Sequence, residues 1–200
     1  MVFTTHALQK ATDSARRASP RRLLLALILS LSPVTLLADD FPISEIQTRL
    51  QDDVYLLDAY IDYRLSDEVI EALNNGVPIT LQVDIEIQRK RRWWLNADLA
   101  TLQQRYQLRY HALSHQYLLQ NINSGAFYPF HTLDGALESL GRLNDFPLLD
   151  RQLVEQDEEY LVHLRAALDI EALPSPLRPL AYISPEWRLD SDWYTWSLKP

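Results

Sequence analysis

The chain has 200 residues, and 19 lysines and arginines stand against 27 aspartates and glutamates, a net charge of −8. That balance argues against nucleic acid, whose binders carry a basic footprint. It has no cysteine, which excludes disulfides, thiol chemistry and a lipid-bearing cysteine anchor, and its four glycines leave no phosphate loop or dinucleotide fingerprint.

The chain opens on a targeting pattern. In RRLLLALILSLSPVTLLADDFP (residues 21–42), the apolar run at 23–38 falls short of the about 20 apolar residues that span a bilayer. Arg16, Arg17, Arg21 and Arg22 supply a basic start, residues 23–31 an apolar stretch, Pro33 a helix break and Ala38 a small residue before a cut. These are the parts of a secretory signal, although Leu36 is larger than the cleavage site prefers. We expect residues 1–38 to be a signal peptide for the general secretory route, and residues 39–200 to be a single periplasmic domain. An uncleaved signal anchored in the inner membrane is the alternative. Membrane contact is then confined to the signal segment. Residues 1–38 hold five of the cations and one acid, so residues 39–200 carry −12.

The rest of the chain is patterned mostly with period two. Ile46 to Leu50 reads as a strand that pairs, across Gln51-Asp52-Asp53, with the alternating run Leu57, Ala59, Ile61, Tyr63 and Leu65. SDEVIEALNNG reads as a short helix with Ser66 as N-cap and Asn75-Gly76 closing it. Val77, Ile79, Leu81, Val83, Ile85 and Ile87 form the buried side of the clearest strand, with Thr80, Gln82, Asp84, Glu86 and Gln88 opposite. A further strand carries Leu102, Tyr106, Leu108, Tyr110 and Ala112. Tyr117 to Ile122 returns antiparallel, and Phe127 to Phe130 is a short aromatic strand or loop. TLDGALESLGRL is a second helix capped by Thr132. Tyr160, Val162, Leu164, Ala166 and Leu168 mark another strand. LPSPLRP reads as a polyproline-like connector, and Trp187 to Leu198 as a closing hairpin around Asp190-Ser191-Asp192. The expected fold is β-rich α+β, an antiparallel β-sandwich or curved sheet with two short helices.

QRKRRWW (residues 88–94) is the most conspicuous stretch. A straight strand would carry Arg89, Arg91 and Trp93 along the buried face of Ile87, and unpaired buried arginines are prohibitive. The strand must therefore bulge, leave the core or meet carboxylates. One reading makes Arg89, Arg91, Arg92, Trp93 and Trp94 a partner-binding patch, since arginine with tryptophan is hot-spot chemistry. The competing reading is a strand end whose arginines pair with the excess acids and whose tryptophans cap the core. Trp193 and Trp196, in WYTW, cannot both face inward with Tyr194 and are further partner-binding candidates. His111 and His115 lack the glutamate of H-E-x-x-H, and on a strand they lie about 13 Å apart, so no metal is assigned. No nucleophile elbow occurs, no catalytic residue is assigned and no cofactor is implied.

Together, ALNNGVPITLQVDIEIQRKRRWW (72–94), YQLRYHALSHQYLLQN (106–121), LPSPLRPLAY (173–182) and the final W-x-L-x-S-x-W resemble the bacterial domain-of-unknown-function 4390 family, the proline-rich signal peptide proteins. The resemblance implies an exported proteobacterial protein of unassigned activity, encoded beside a membrane sensor kinase of the nitrogen-regulation type and a ribosomal RNA methyltransferase. By association it implies a periplasmic accessory to signalling. The functional expectation is a non-enzymatic binding or accessory protein whose partner is a membrane sensor or another envelope protein. The alternative is an envelope hydrolase using His111, His115 or His163 with a carboxylate.

Overall fold

The strand with the cleanest alternation becomes the middle of the larger sheet. The computed structural model describes residues 41–91 and 96–199; the expected signal peptide, residues 1–38, lies outside them. Among the described residues the strands are β1 (Ile43–Gln51), β2 (Val54–Ile61), β3 (Ile79–Arg89), β4 (Ala97–His111), β5 (Gln116–Asn121), β6 (Phe127–Phe130), β7 (Arg142–Asp150), β8 (Tyr160–Leu168) and β9 (Tyr194–Leu198). The helices are α1 (Asp67–Asn74), α2 (Leu133–Gly141) and α3 (Arg178–Ile183). All pairings are antiparallel, in one sheet of order β1-β2-β7 and another of order β6-β5-β4-β3-β8-β9.

Alternation dictates which face is dry. Ile79, Leu81, Val83, Ile85 and Ile87 of β3 are buried, as are Tyr160, Val162, Leu164, Ala166 and Leu168 of β8. Tyr55, Leu57, Ala59 and Ile61 of β2 join the same cluster, so both sheets share one core. Each such aliphatic side chain contributes about 1.5–3 kcal/mol on burial. The β-rich α+β architecture is the one expected. The β1–β2 turn uses Asp52 and Asp53 at φ 48° and 62°, the left-handed pair that matches hairpin twist.

Both expected helices form with the expected caps. The Ser66 hydroxyl oxygen accepts from the Val69 amide at 3.3 Å, and Gly76, at φ 88°, turns the chain away after α1. Ser66 also donates to the Glu186 carbonyl at 2.7 Å, and Trp187 donates to Glu68 at 3.2 Å. These bonds seat the start of α1 on the 3-10 turn Pro185–Trp187. In α2 the Thr132 hydroxyl oxygen accepts from Gly135 at 3.2 Å.

The structure departs from expectation in three places. Residues 142–150, which have no clean alternation, form β7. The expected proline connector instead leads into α3, where Pro179 sits in the first turn and its missing N–H costs nothing. The expected closing hairpin does not form. β8 takes up both halves of that segment, with Ala167 facing Asp190 and Leu164 facing Tyr194. One extra residue lies between those contacts, a bulge. Buried Ser191 completes the ladder: its N–H donates to the Ala166 carbonyl at 2.8 Å, and its hydroxyl oxygen accepts from the Ala166 N–H at 3.0 Å.

Candidate functional site

The cationic stretch leaves the core in the way the burial argument demands. The β3–β4 register shifts between Ile87 and Gln88, and Arg89 and Lys90 then meet acids. Arg89 pairs with Glu155 at 3.1 Å and Lys90 with Glu159 at 3.0 Å. The Lys90 N–H also donates to the Glu159 carbonyl at 2.8 Å. Glu159 accepts from Ser197 of β9 at 2.9 Å as well. The hydrogen bond from Lys90 comes first, with that from Ser197 next, in holding the Glu159 carboxyl below its ordinary range. Arg91 is exposed, and its backbone N–H donates to Asn96 at 3.4 Å. Arg92, Trp93 and Trp94 lie outside the described residues.

The C-terminal tryptophans separate. Trp196 faces inward and is half-buried, its indole N–H donating to Thr48 of β1 at 3.0 Å. Trp193 stands on the opposite face and is 42 % exposed. Its ring is edge-on to His163 with centroids 6.4 Å apart, and Arg165 lies 6.0 Å from its centroid. Beside it, Pro42, Ile43, Asp192, Trp193 and Tyr194 line a shallow cleft of about 140 Å³.

The four sheet edges are not alike. Native proteins blunt exposed edges with prolines, bulges and charges. β6 carries Pro129 at its centre. β1 shifts register between Ser44 and Gln47, with Glu45 at φ 53°. β7 has two register shifts, Pro147, and Asp145 at φ 53°. β9, the sequence YTWSL, has no proline, no charge and an unshifted ladder to β8. No other described strand pairs with it. Exposed Trp193 and Tyr194 stand at its start.

The four described histidines fall in three places. His111 contacts Ser114 at 2.9 Å and His115 contacts the Tyr110 hydroxyl at 3.1 Å, both within the β4–β5 hairpin. His131 precedes α2 and His163 lies on β8. Among the described residues no group of three or more histidines and carboxylates is placed to hold a metal ion. The inward tyrosines fill the core. Burial first, and neighbouring Tyr106 second, push the Tyr63 phenol well above its ordinary range. No described helix is long and apolar enough to cross a membrane.

Fold and surface together define a two-sheet, β-rich domain with one unguarded edge among the described strands. The chain belongs to the family described as domain of unknown function (DUF4390), whose model matches residues 38–197. No curated protein and no solved structure matches it.

Proposed function

We propose that this is an exported periplasmic accessory protein that binds an envelope protein, of which a membrane sensor is the leading class, by accepting an extended segment of it along β9. The observation that carries this reading is the unbroken Tyr194–Leu198 ladder of β9, whose bulge lies before the strand, set against three edges that each bear a proline or a bulge within the strand. Main-chain pairing at such an edge supplies affinity, and side chains beside it supply selectivity. The family match beginning at residue 38 supports a boundary there between signal and domain. Arg89 and Arg91 form a second contact to the same partner, beside the Lys90–Glu159–Ser197 bonds at the far end of β9.

Two measurements test this. Mass spectrometry of the protein from fractionated cells should find a periplasmic chain beginning at Asp39; an intact amino terminus in the inner membrane would mean an anchor, and in the cytosol would sink the reading. A photo-reactive residue replacing Lys199 should crosslink in cells to a single envelope protein. Tyr194→Lys, which installs an edge guard, should abolish the adduct. An adduct between two copies of this chain, or one unchanged by Tyr194→Lys, would overturn strand addition by a partner.

A further inference from the structure

The face of the larger sheet turned away from the core is a grid of planar polar side chains. Register places Thr101, Glu86, His163 and Thr195 in one row across β4, β3, β8 and β9. Gln103, Asp84 and Arg165 form the next row, with Trp193 at its margin. Arg105, Gln82 and Ala167 form a third. Neighbours across strands are about 4.8 Å apart and successive rows about 6.8 Å apart.

This face is held in place and left incomplete. Asp84 accepts from Gln82 at 3.0 Å and from Gln103 at 2.8 Å. Arg165 pairs with Asp190, and Arg105 with Asp169. His163 Nδ1 meets the Thr195 hydroxyl at 2.8 Å. Two shielded donor or acceptor atoms, His163 Nε2 and Arg105 Nε, have no partner. The Glu86 side chain, half-buried and opposite His163, has no hydrogen-bond partner among the described residues. An open carboxylate and an exposed indole on a face whose other polar groups are already fixed leave a position for a polar occupant.

We infer that this face binds a neutral glycan lying across the strands, with Trp193 as its stacking platform. Carboxylates, amides and guanidinium groups are planar and bidentate, a match for vicinal hydroxyls that donate and accept side by side. An exposed indole offers an apolar face to the C–H side of a sugar ring. The ring is already positioned by His163 and Arg165, so little is lost in ordering it. Both arginines in these three rows are neutralised by aspartates, while Glu86 remains open, so an anionic polymer is repelled there; Arg109, two rows beyond Arg105, is bonded to Gln107. The site is distinct from the β9 edge, which offers backbone groups.

Isothermal titration of the purified protein with cellotetraose and with tetra-N-acetylchitotetraose tests the assignment, with a galacturonic acid tetramer as the anionic comparison. At least one neutral tetrasaccharide should bind with a submillimolar constant. Trp193→Ala should weaken it about tenfold or more, and Glu86→Ala severalfold. Tyr194→Lys should leave it unchanged. Glu86→Ala keeps the test valid if the tryptophan variant folds poorly, and circular dichroism of each variant checks that. Absence of heat with both neutral sugars at millimolar concentration would overturn the inference. So would affinity unaffected in Trp193→Ala, or equal binding of the anionic tetramer.

Discussion

Gly141 ends α2 where the helix meets β2, and its replacement by alanine tests how tightly the two layers are joined. A Cβ at this position would lie 2.1 Å from the Ile61 carbonyl oxygen, 3.3 Å from its carbon and 3.4 Å from the Tyr60 ring. The first distance is more than about 1 Å short of ordinary contact. The obstacle is backbone, and it cannot yield cheaply. Ile61 is fully buried, and β2 is held between β1 and β7. The helix cannot pivot freely either, because Arg142 begins β7 at the next residue. Overpacking of this kind costs about 1–3 kcal/mol, partly offset by the roughly 1 kcal/mol helix advantage of alanine over glycine. A net loss of about 1 kcal/mol lowers the melting temperature by roughly 2–4 °C for a chain of this size. Gly135→Ala is the internal control. Its Cβ would meet the Thr132 hydroxyl at 3.0 Å; shifting that hydroxyl weakens the α2 cap by about 0.5–2 kcal/mol, which alanine's roughly 1 kcal/mol helix advantage offsets, so it should be near neutral. Urea unfolding monitored by circular dichroism reads both. The reasoning fails if Gly141→Ala unfolds within about 0.5 kcal/mol of the parent, or if Gly135→Ala is the more damaging of the two.

Ser191→Ala should cost about 1–3 kcal/mol, because it strands the buried Ala166 N–H; hydrogen exchange at Ala166 should quicken, and unchanged exchange would remove Ser191 from the ladder. Glu159 has a folded pKa below its unfolded one, so its contribution is complete above the ordinary carboxylate range and disappears as pH falls through the folded value. Glu159→Gln should therefore melt below the parent at pH 7, with the difference closing at pH 3; a gap that persists in acid would point to lost packing instead of lost charge.

Much of the fold could be read from residue order because burial and period coincide. In β3 and β8 every second residue is apolar and every second residue is buried, so the strands announced themselves. Ser66 and Thr132 announced their helices through cap chemistry. β7 stayed hidden because RLNDFPLLD changes phase: Pro147 and the left-handed Asp145 break the alternation by which strands are recognised. α3 stayed hidden because prolines at 174, 176 and 179 mask a first turn that tolerates them. The false hairpin at the C-terminus followed from treating Asp190-Ser191-Asp192 as a turn. A polar triplet also serves as a bulge, and only the presence of an open strand beside it decides which forms.

Legibility of the candidate surfaces follows the same division. The charge crowding of residues 88–92 was visible, and the need for carboxylates was forced by physics. Which carboxylates answered was not, since Glu155 and Glu159 lie more than sixty residues away. Trp193 and Trp196 were visible as a pair that could not both be inside. That Trp196 turns to Thr48 while Trp193 stays out depends on the bulge at Ser191. The polar grid was present as the wet half of each alternating strand, but a wet face becomes a candidate site only when register shows which of its groups lack partners.

The case for β9 as a receiving edge rests finally on its order. A strand paired on one side only tends to fray, and a fraying strand must be ordered again whenever it binds. Side chains along and beside β9 fasten it at four points: Trp196 to Thr48 of β1, Thr195 to His163 of β8, Ser197 to Glu159 before β8, and, through Glu159, to Lys90 after β3. Each bond is worth only about 0.5–1.5 kcal/mol. Their placement matters more than their sum, because all use side chains and none occupies the backbone groups on the open side. In a chain without disulfides this is how an edge can be rigid and still unpaired. Removing one fastening should thus loosen partner binding before it unfolds the domain. That ordering would not arise if β9 were an inert margin of the sheet.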